Sequence, residues 1–229
     1  MRTIAVIALK GGSGKTTVAA HVALAAHLRG LKTLVADTDP QRSATEVLRA
    51  RDGGGPTCVG AIGSSLFAAQ IAAVGSGMDT MVVDTAAGAA EDVAQAVVVA
   101  DFSLLVVRPT LMDIAAAVRT VDIIRRLRKP AMVVVNQAPV ARDGVEPPSV
   151  KRAMRALELL RLPVVPTLLR SRAIYQSALE TGRSAEESYD VNAAREIAAL
   201  WAFIERFTFG KRDGPAPSEG EDEDLKFAP

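Results

Sequence analysis

The sequence is poor in the residues that cross-link or stiffen a small protein. Cys58 is the single cysteine, and aromatic residues make up 4% of the 229 positions. One thiol excludes an intrachain disulfide framework and a metal site built from several cysteines. No apolar run reaches the roughly 18 residues that a membrane-spanning helix needs. The hydrophobic fraction is nonetheless 49%, so a core has to be built mainly from Val, Ala, Leu and Ile.

Charge is balanced overall but unevenly distributed. The net charge is +1, which by itself argues neither for nor against a nucleic-acid partner. Residues 211–229 hold six acidic and three basic side chains, a net −3, so residues 1–210 carry +4. The segment 213–224 is dominated by Pro, Gly and acidic residues and has little to bury. We therefore expect one domain over 1–210, followed by an acidic disordered tail over 211–229.

Short, almost wholly apolar runs alternate with stretches of helical length. Such runs are typical of parallel strands buried on both faces. The alternation predicts an α/β fold, a single doubly wound and mostly parallel sheet with helices on both faces. We expect the region of Arg51–Gly55 and Cys58 to be a loop. The predicted strands are Thr3–Leu9, Thr33–Asp37, Thr80–Asp84, Ser103–Arg108, Ala131–Asn136 and Val164–Val165. The predicted helices lie near Thr16–Arg29, Ser64–Val74, Glu91–Ala100, Asp113–Arg128, Ser149–Leu160, Ala173–Thr181 and Asn192–Phe207.

A glycine-rich segment follows the first predicted strand directly. It reads Lys10-Gly11-Gly12-Ser13-Gly14-Lys15-Thr16-Thr17. A strand, a glycine-rich turn and a Lys-Thr pair opening a helix are the parts of a phosphate-binding loop. Backbone N–H groups turn inward on the phosphates, Lys15 reaches the β- and γ-phosphates, and the Thr16 hydroxyl can hold Mg²⁺. The strict G-x-x-x-x-G-K-[ST] pattern fails, because Leu9 stands where the first glycine belongs.

What the segment does fit is the deviant loop K-G-G-x-G-K-T-T. Here the chain resembles the ParA/MinD family of P-loop ATPases, and it looks most like the small ParA-type partitioning and cargo-positioning proteins. Three later segments are similar to that family's first switch, its Walker B strand end and its base-recognition strand. They are, in that order, Leu34–Gln41, Met81–Thr85 and Val133–Gln137. The resemblance extends from residue 1 to about residue 208.

The resemblance implies a set of roles at one nucleotide site, with ATP or ADP and Mg²⁺ as cofactors. Catalysis is implied for Lys15, for Asp39 beside the attacking water, and for Lys10, which reaches the partner's ATP in a nucleotide-sandwich homodimer. Metal binding is implied for Thr16, Asp37 and Asp84. Nucleotide contacts are implied for Gly11, Gly12, Ser13, Gly14, Lys15, Thr16, Thr17, Asn136 and Pro166.

Several of these residues also have plainer interpretations. An aspartate at a strand end, such as Asp37 or Asp39, commonly caps a helix or a turn. Asn136 is a routine strand-end turn residue, and Lys10 can be a solvated lysine beside a glycine turn. The sequence also departs from the family's Asp-Thr-Pro-Pro after the Walker B strand, since it reads Asp84-Thr85-Ala86-Ala87-Gly88. Two alanines there predict a looser second switch loop.

The expected partners follow from the same resemblance. As an ATP dimer, the chain is expected to bind DNA without sequence preference and to respond to a ParB-like or cargo adaptor protein. Further basic clusters occur at 125–129 and 151–155. A solvated helix face is the plainer interpretation of any single one of these residues, whereas some set of the C-terminal arginines is expected to contact DNA. The arginines that fall where ParA-type proteins contact DNA are Arg170, Arg172 and Arg183.

Two other classes of function remain open. One is a MinD-like positioning ATPase that acts at a membrane or a protein scaffold, although an acidic C-terminus would be repelled by anionic lipid. The other is a metabolic ligase or an iron–sulfur scaffold on the same fold. Ligases usually lack a lysine at the position of Lys10, and a scaffold needs bridging cysteines. Since the first apolar run starts at Thr3, we expect no signal peptide and predict a cytoplasmic, nucleoid-associated protein.

Overall fold

The computed structural model of the chain describes residues 1–208. The predicted acidic tail over 211–229 lies outside these residues. Two short 3-10 turns, Leu179–Thr181 and Ala185–Glu187, connect the last helices. The strands are β1 (Arg2–Ile7), β2 (Thr33–Asp37), β3 (Thr57–Gly60), β4 (Thr80–Asp84), β5 (Phe102–Val107) and β6 (Ala131–Val135). The helices are α1 (Lys15–Leu28), α2 (Ser43–Arg49), α3 (Ser65–Gly75), α4 (Ala90–Val99), α5 (Leu111–Leu127), α6 (Pro148–Glu158), α7 (Ile174–Ser177) and α8 (Val191–Thr208).

The six strands form one sheet in the order β3-β2-β4-β1-β5-β6, and every neighbouring pair is parallel. β1 lies between β4 and β5, so the strand order reverses beside it, and its carboxyl end is a topological switch point of the sheet. Ligands of open parallel sheets bind at such a point. The predicted doubly wound α/β fold is confirmed.

Apolar side chains cover both faces of the sheet and pack under different helices. One cluster joins the sheet to α1, α2 and α8 and includes the buried Trp201. The other joins it to α3, α4, α5 and α6. Most of α1 is buried, and many of its buried residues are alanines, whose small side chains let the helix lie close to the sheet. α1 is therefore held firmly where it follows the glycine-rich loop.

The sequence prediction was wrong at the two ends of the sheet. Thr57–Gly60 is the edge strand β3, paired with β2, and not a loop around Cys58. This strand is only half-buried, so it lacks the apolar run that marks the inner strands. Val164–Val165, in contrast, makes one isolated bridge to Val133 rather than a strand. The prolines at 163 and 166 lack the N–H groups that would extend the ladder.

Candidate functional site

The glycine-rich loop joins β1 to α1 at the carboxyl end of the central strand. Gly14 precedes the first residue of α1 and has φ of 87°, a left-handed conformation that favours glycine. A Cβ at this position would lie 2.2 Å from Nδ2 of Asn136. Gly12 also has a positive φ, of 75°, but no atom lies within 4 Å of its would-be Cβ. The chain thus needs glycine at position 14 for two reasons and at position 12 for one.

Lys15 folds back over this loop. Its Nζ lies 3.5 Å from the carbonyl oxygen of Lys10, and its side chain is mostly buried. Burial lowers the pKa of the Lys15 ammonium, and the charges of Asp84 and Asp39 oppose that shift. A partly desolvated cation at the start of a helix is placed to attract an anion such as a phosphate.

Asn136 supports the loop from below. Its Nδ2 donates to the carbonyl oxygen of Ser13 at 2.9 Å, and the residue is 5% exposed. Its backbone N–H also bonds to the end of β5, at Val107. The structure therefore gives Asn136 a role in holding the loop in shape, while its contact with adenine stays a prediction. Pro166 is exposed on the segment that follows, and its contact with the base is also untested.

Asp84 is a buried acidic group without a hydrogen-bond partner in residues 1–208. Parallel pairing places Asp84 beside Val6 of β1 and Asp37 of β2 at the carboxyl edge of the sheet. The residue is fully buried, and within residues 1–208 neither carboxylate oxygen has a hydrogen-bond partner. The hydroxyl of Thr16 lies near enough to this carboxylate to lower its pKa. Burial raises the pKa of Asp84 to about 7, against the influence of Thr16 and Lys15.

An orphaned buried carboxylate next to a threonine hydroxyl fits a hard divalent cation. Oxygen ligands are those that Mg²⁺ prefers, and the ion would supply the partner that Asp84 lacks. No group of three or more His, Cys, Asp or Glu residues within 1–208 is arranged to hold a metal by itself. The fit is therefore to an ion bound through few protein ligands, which is how Mg²⁺ usually accompanies a nucleotide.

Asp37 accepts hydrogen bonds both from the backbone of Asp39 and from the next helix, α2. One oxygen of Asp37 accepts from the backbone N–H and the hydroxyl of Thr45 in α2, both at 3.0 Å. The other accepts from the N–H of Asp39 at 3.1 Å. The capping interpretation of Asp37 thus describes its hydrogen bonds here. Asp39 is partly exposed and caps the N–H of Gln41 at 2.9 Å. The metal role of Asp37 and the water-positioning role of Asp39 stay predictions.

The loops after β1, β2 and β4 are joined to one another and to β1 by a few hydrogen bonds. The Thr85 hydroxyl donates to the carbonyl oxygen of Val6 at 2.9 Å, and the Gly88 N–H donates to that of Leu9 at 2.9 Å. Thr38 joins the same group, since its N–H bonds to the carbonyl oxygen of Asp84. The loop with two alanines in place of prolines is therefore anchored at one end to β1 and at the other end to the loop that follows β1.

Lys10 does not stand free in solvent. Its Nζ donates to Oδ2 of Asp113 at 2.7 Å. Arg108, the residue after β5, donates to both oxygens of the same carboxylate, at 3.0 and 3.2 Å. The Thr110 hydroxyl donates to Oδ2 at 2.5 Å. Sequence reasoning missed this cluster, although an arginine at the end of a strand and an aspartate three residues after Thr110 were visible signals.

Two of the three arginines assigned to DNA are engaged in internal ion pairs. Arg170 pairs with Glu146 and donates to the carbonyl oxygen of Pro139. Arg172 pairs with Glu196 at 2.9 Å. Arg183 is exposed. Their assignment to DNA stays a prediction, and it is weakened for the two paired residues, which would have to exchange carboxylates for phosphates.

Helix α6 presents a different basic surface. Lys151, Arg152 and Arg155 are all exposed, and none makes an ion pair within the described part of the chain. Its opposite face is buried through Val150, Ala153 and Leu157. The three cations therefore lie on the solvent side of an amphipathic helix. We call them the α6 basic face.

Over residues 1–208, none of the helices combines the length and the apolar composition needed to cross a lipid bilayer.

Comparisons with known proteins agree on one family. Residues 4–183 match the family model described as the CobQ/CobB/MinD/ParA nucleotide-binding domain. The chain is 31% identical over 194 residues to the maintenance of carboxysome distribution protein A of Halothiobacillus neapolitanus. That match covers 80% of this chain and 85% of the relative.

Solved structures show the same fold at low sequence identity. A Cyanothece McdA variant in complex with ATP has a TM-score of 0.68 and 16% identity, over 90% of this chain and 95% of that one. The septum site-determining protein MinD of Pyrococcus horikoshii, complexed with Mg-ADP, has a TM-score of 0.71 and 16% identity, over 90% and 96%.

Proposed function

Because the chain belongs to the CobQ/CobB/MinD/ParA family of nucleotide-binding ATPases, we propose that it is a weak, Mg²⁺-dependent ATPase of ParA type. It dimerises on ATP, binds DNA without sequence preference and positions a large cargo. The single domain over 1–210 carries the nucleotide site. We place the protein in the cytoplasm, with a nucleoid association that comes from DNA binding.

The nucleotide site is supported by the loop and the acidic edge together. The backbone from Gly11 to Thr17 cradles the phosphates, and Lys15 lies over that cradle. Thr16 and Asp84 would hold Mg²⁺, which when bound would supply positive charge beside the phosphates. Asp39, at the exposed end of the β2 loop, orients the attacking water. Asp37 fixes the Asp39 backbone through its 3.1 Å hydrogen bond and so keeps that side chain at the site.

The position of Lys10 is the observation that best supports an ATP-dependent dimerisation switch. It lies at the mouth of the loop, its side chain is one-third exposed, and its ammonium donates to Asp113 of α5. A cation in that place can reach the phosphates of a second copy and act there as a charge supplied in trans. Hydrolysis and dimerisation then depend on the same contact, so that the ATP form is a dimer and the ADP form a monomer.

DNA binding is assigned to the α6 basic face together with the exposed Arg183. These cations lack carboxylate partners in the described structure, so phosphate contacts cost no internal ion pair. Contacts of this kind carry no sequence information and weaken steeply as salt rises. Arg170 and Arg172, which are paired with Glu146 and Glu196, are left out of this surface. The alternative function is that of a MinD-like ATPase that acts at a membrane or a protein scaffold.

The cargo is inferred from the relative. The name of the Halothiobacillus neapolitanus protein ties that protein to carboxysome distribution. A large protein assembly is therefore our first choice of cargo for this chain, ahead of a plasmid or chromosome region. A ParB-like or cargo-bound adaptor protein would stimulate hydrolysis and so release the dimer from DNA.

The decisive experiment uses Asp39→Ala. Loss of the water-positioning carboxylate should leave ATP binding intact and trap the ATP dimer. We expect the variant to double its mass with ATP, but not with ADP, by light scattering. The same ATP dimer should bind any duplex and release it between about 50 and 200 mM salt. Lys15→Ala, which removes the phosphate contact, is the matched control and should stay monomeric.

Each outcome bears on a different part of the proposal. An Asp39→Ala chain that hydrolyses ATP at the wild-type rate would remove Asp39 from its role. ATP-dependent dimers that ignore DNA at every salt concentration would favour the scaffold or membrane alternative. A wild-type chain that binds ATP but never changes mass would contradict the switch altogether.

A further inference from the structure

The cluster around Asp113 contains two cations for one carboxylate. Asp113 lies in the first turn of α5, and its side chain is 2% exposed. It accepts from Lys10 Nζ at 2.7 Å and from Arg108 Nε and Nη2 at 3.0 and 3.2 Å. Thr110, which caps α5, donates to it as well. This carboxylate therefore has more donors than it needs to stay satisfied in a buried place.

Lys10 can leave this cluster at low cost as long as Arg108 stays in place. A buried carboxylate left without a counter-charge is strongly unfavourable. When Lys10 departs, the guanidinium of Arg108 still spans both oxygens of Asp113, and the hydroxyl of Thr110 still donates to one of them. If Arg108 were absent, Lys10 would be the sole cation on Asp113, and its departure would leave the charge buried and unpaired.

We propose that Asp113 holds Lys10 back from the partner's site and that Arg108 keeps Asp113 neutralised when Lys10 is released. This proposal rests on the proposed function, because Lys10 is released toward a second copy of the chain. Asp113 and Arg108 are positioning residues: they set how readily Lys10 becomes available. How readily the chain dimerises then depends on how tightly Asp113 holds Lys10 as well as on the bound nucleotide.

Opposite effects are expected from the two partners of one ion pair. Asp113→Asn removes the charge that holds Lys10, so ATP-dependent dimers should form about three- to tenfold more tightly. Arg108→Gln leaves Lys10 as the sole counter-charge, so dimers should weaken by a similar factor. A purely structural cluster would instead give a loss in both variants. The dimer dissociation constant, measured by analytical ultracentrifugation with a non-hydrolysable ATP analogue, distinguishes the proposed restraint of Lys10 from a purely structural cluster. Arg195→Gln, at an exposed site without an ion pair in residues 1–208, is the control.

The double variant tests how Arg108 acts. If it acts through Asp113, then Asp113→Asn with Arg108→Gln should dimerise as tightly as Asp113→Asn alone, because there is no longer a charge to neutralise. A double variant as weak as Arg108→Gln would mean that Arg108 contacts the nucleotide or the partner directly, and would overturn the proposal. Should Asp113→Asn fail to fold in a thermal melt, Asp113→Ser carries the same test.

A readout without nucleotide keeps this proposal separate from the proposed function. An ammonium bound to a carboxylate is shielded from acylating reagents, so Lys10 in the wild type should label more slowly than the exposed Lys32. Asp113→Asn should speed labelling of Lys10 severalfold and leave Lys32 unchanged. Unchanged labelling of Lys10 would overturn the restraint by Asp113. Normal release of Lys10 in a chain that never dimerises with ATP would instead overturn the proposed function and the coupling built on it.

Discussion

At the scale of single residues, the two aspartates at neighbouring strand ends differ sharply in their surroundings. Asp37 and Asp84 are paired in register and are both fully buried. Asp37 accepts three hydrogen bonds, whereas Asp84 accepts none within residues 1–208. A buried carboxylate without partners lowers stability and persists where something outside the fold completes it. The contrast singles out Asp84 as the stronger candidate for the metal.

The two aspartates should therefore respond oppositely to loss of charge. Asp84→Asn should raise the free energy of unfolding by ~2 kcal/mol at pH 8, because it removes a desolvated charge. It should also abolish Mg²⁺-dependent ATP hydrolysis. Asp37→Asn should lower the free energy of unfolding, because it puts an NH₂ donor among three donors. Urea denaturation measures both. A destabilised Asp84→Asn would mean that its carboxylate already has a partner.

The two glycines of the loop offer a second matched pair. Gly12→Ala meets open space and should cost about 1 kcal/mol for its left-handed conformation alone. Gly14→Ala adds a Cβ 2.2 Å from Asn136 Nδ2 and should cost clearly more, about 2–4 kcal/mol, together with nucleotide affinity. Urea denaturation and titration with a fluorescent ATP analogue give the two quantities. Equal losses in the two variants would show that Asn136 moves aside freely.

At the scale of elements, His21 connects α1 to α7 and to the 3-10 turn at Ala185–Glu187. Its Nε2 lies 3.0 Å from the carbonyl oxygen of Tyr175, and its Nδ1 lies 3.3 Å from the N–H of Ala185. This arrangement requires a neutral ring that donates through Nε2 and accepts at Nδ1. Burial lowers the pKa of His21 from 6.5 to about 4, against the carbonyl of Tyr175. The helix that follows the phosphate-binding loop is thus attached to the C-terminal part of the domain through a neutral imidazole.

Stability should consequently fall as pH drops from about 6.5 to about 4. In that window the unfolded chain binds a proton at His21 that the folded chain does not, so the free energy of unfolding decreases by ~3 kcal/mol in total. His21→Gln can donate and accept in the same places without titrating, so its melting temperature should depend less on pH. His27→Gln, at a half-buried position in the last turn of the same helix, is the matched control and should keep the wild-type dependence. Parallel curves for the wild type and His21→Gln would contradict the assignment.

Helix α5 illustrates how one element serves several parts of the site. Its cap, Thr110, satisfies the backbone N–H of Asp113 at 3.2 Å and donates its hydroxyl to that side chain. Burial alone would raise the pKa of Asp113, but hydrogen bonds from Arg108, Lys10 and Thr110 hold it below its usual value. Placing an anion in the first turn also suits the helix dipole. Asp113 therefore stays charged and keeps its hold on Lys10.

At the scale of the whole molecule, the parallel sheet gathers residues that are far apart in sequence. The carboxyl ends of β1, β2, β4, β5 and β6 bring the loop, Asp37, Asp84, Arg108 and Asn136 to one edge. The basic α6 face lies on a helix covering one side of the same sheet. The fold thus separates a nucleotide edge from a charged outer surface.

Salt dependence should reveal whether that surface meets DNA. Replacing Lys151, Arg152 and Arg155 by Gln should lower the slope of log K against log [salt] by about 2–3, since each phosphate contact contributes about 0.9. Binding should weaken alike on unrelated duplexes, as fluorescence anisotropy measures with the ATP-bound Asp39→Ala dimer. Arg49→Gln, another exposed cation, is the control. An unchanged slope in the triple variant would exclude the α6 basic face as the DNA surface.

The local pattern of the sequence determined the central part of this protein. The inner strands are continuous apolar runs because both of their faces are buried, and the loop from Lys10 to Thr17 follows the first of them directly. Such features depend on residues that are adjacent in sequence, so the α/β fold and the position of the phosphate-binding loop could be predicted. The edge strand β3 and the short α2 could not, because half-buried and seven-residue elements leave a weak periodic signal.

Only the tertiary structure decided how the side chains of the site are partnered. The sequence does not distinguish Asp37, which accepts from Asp39 and from Thr45 in α2, from Asp84, which has no partner in residues 1–208, because both simply end an apolar strand and only the fold decides where the following chain turns. The contact between Lys10 and Asp113 spans 103 positions, and that between Arg170 and Glu146 spans 24. Partners so distant are fixed by strand order and helix packing. Sequence could therefore name the residues of the site, while the fold set which charges are free, shared or already satisfied.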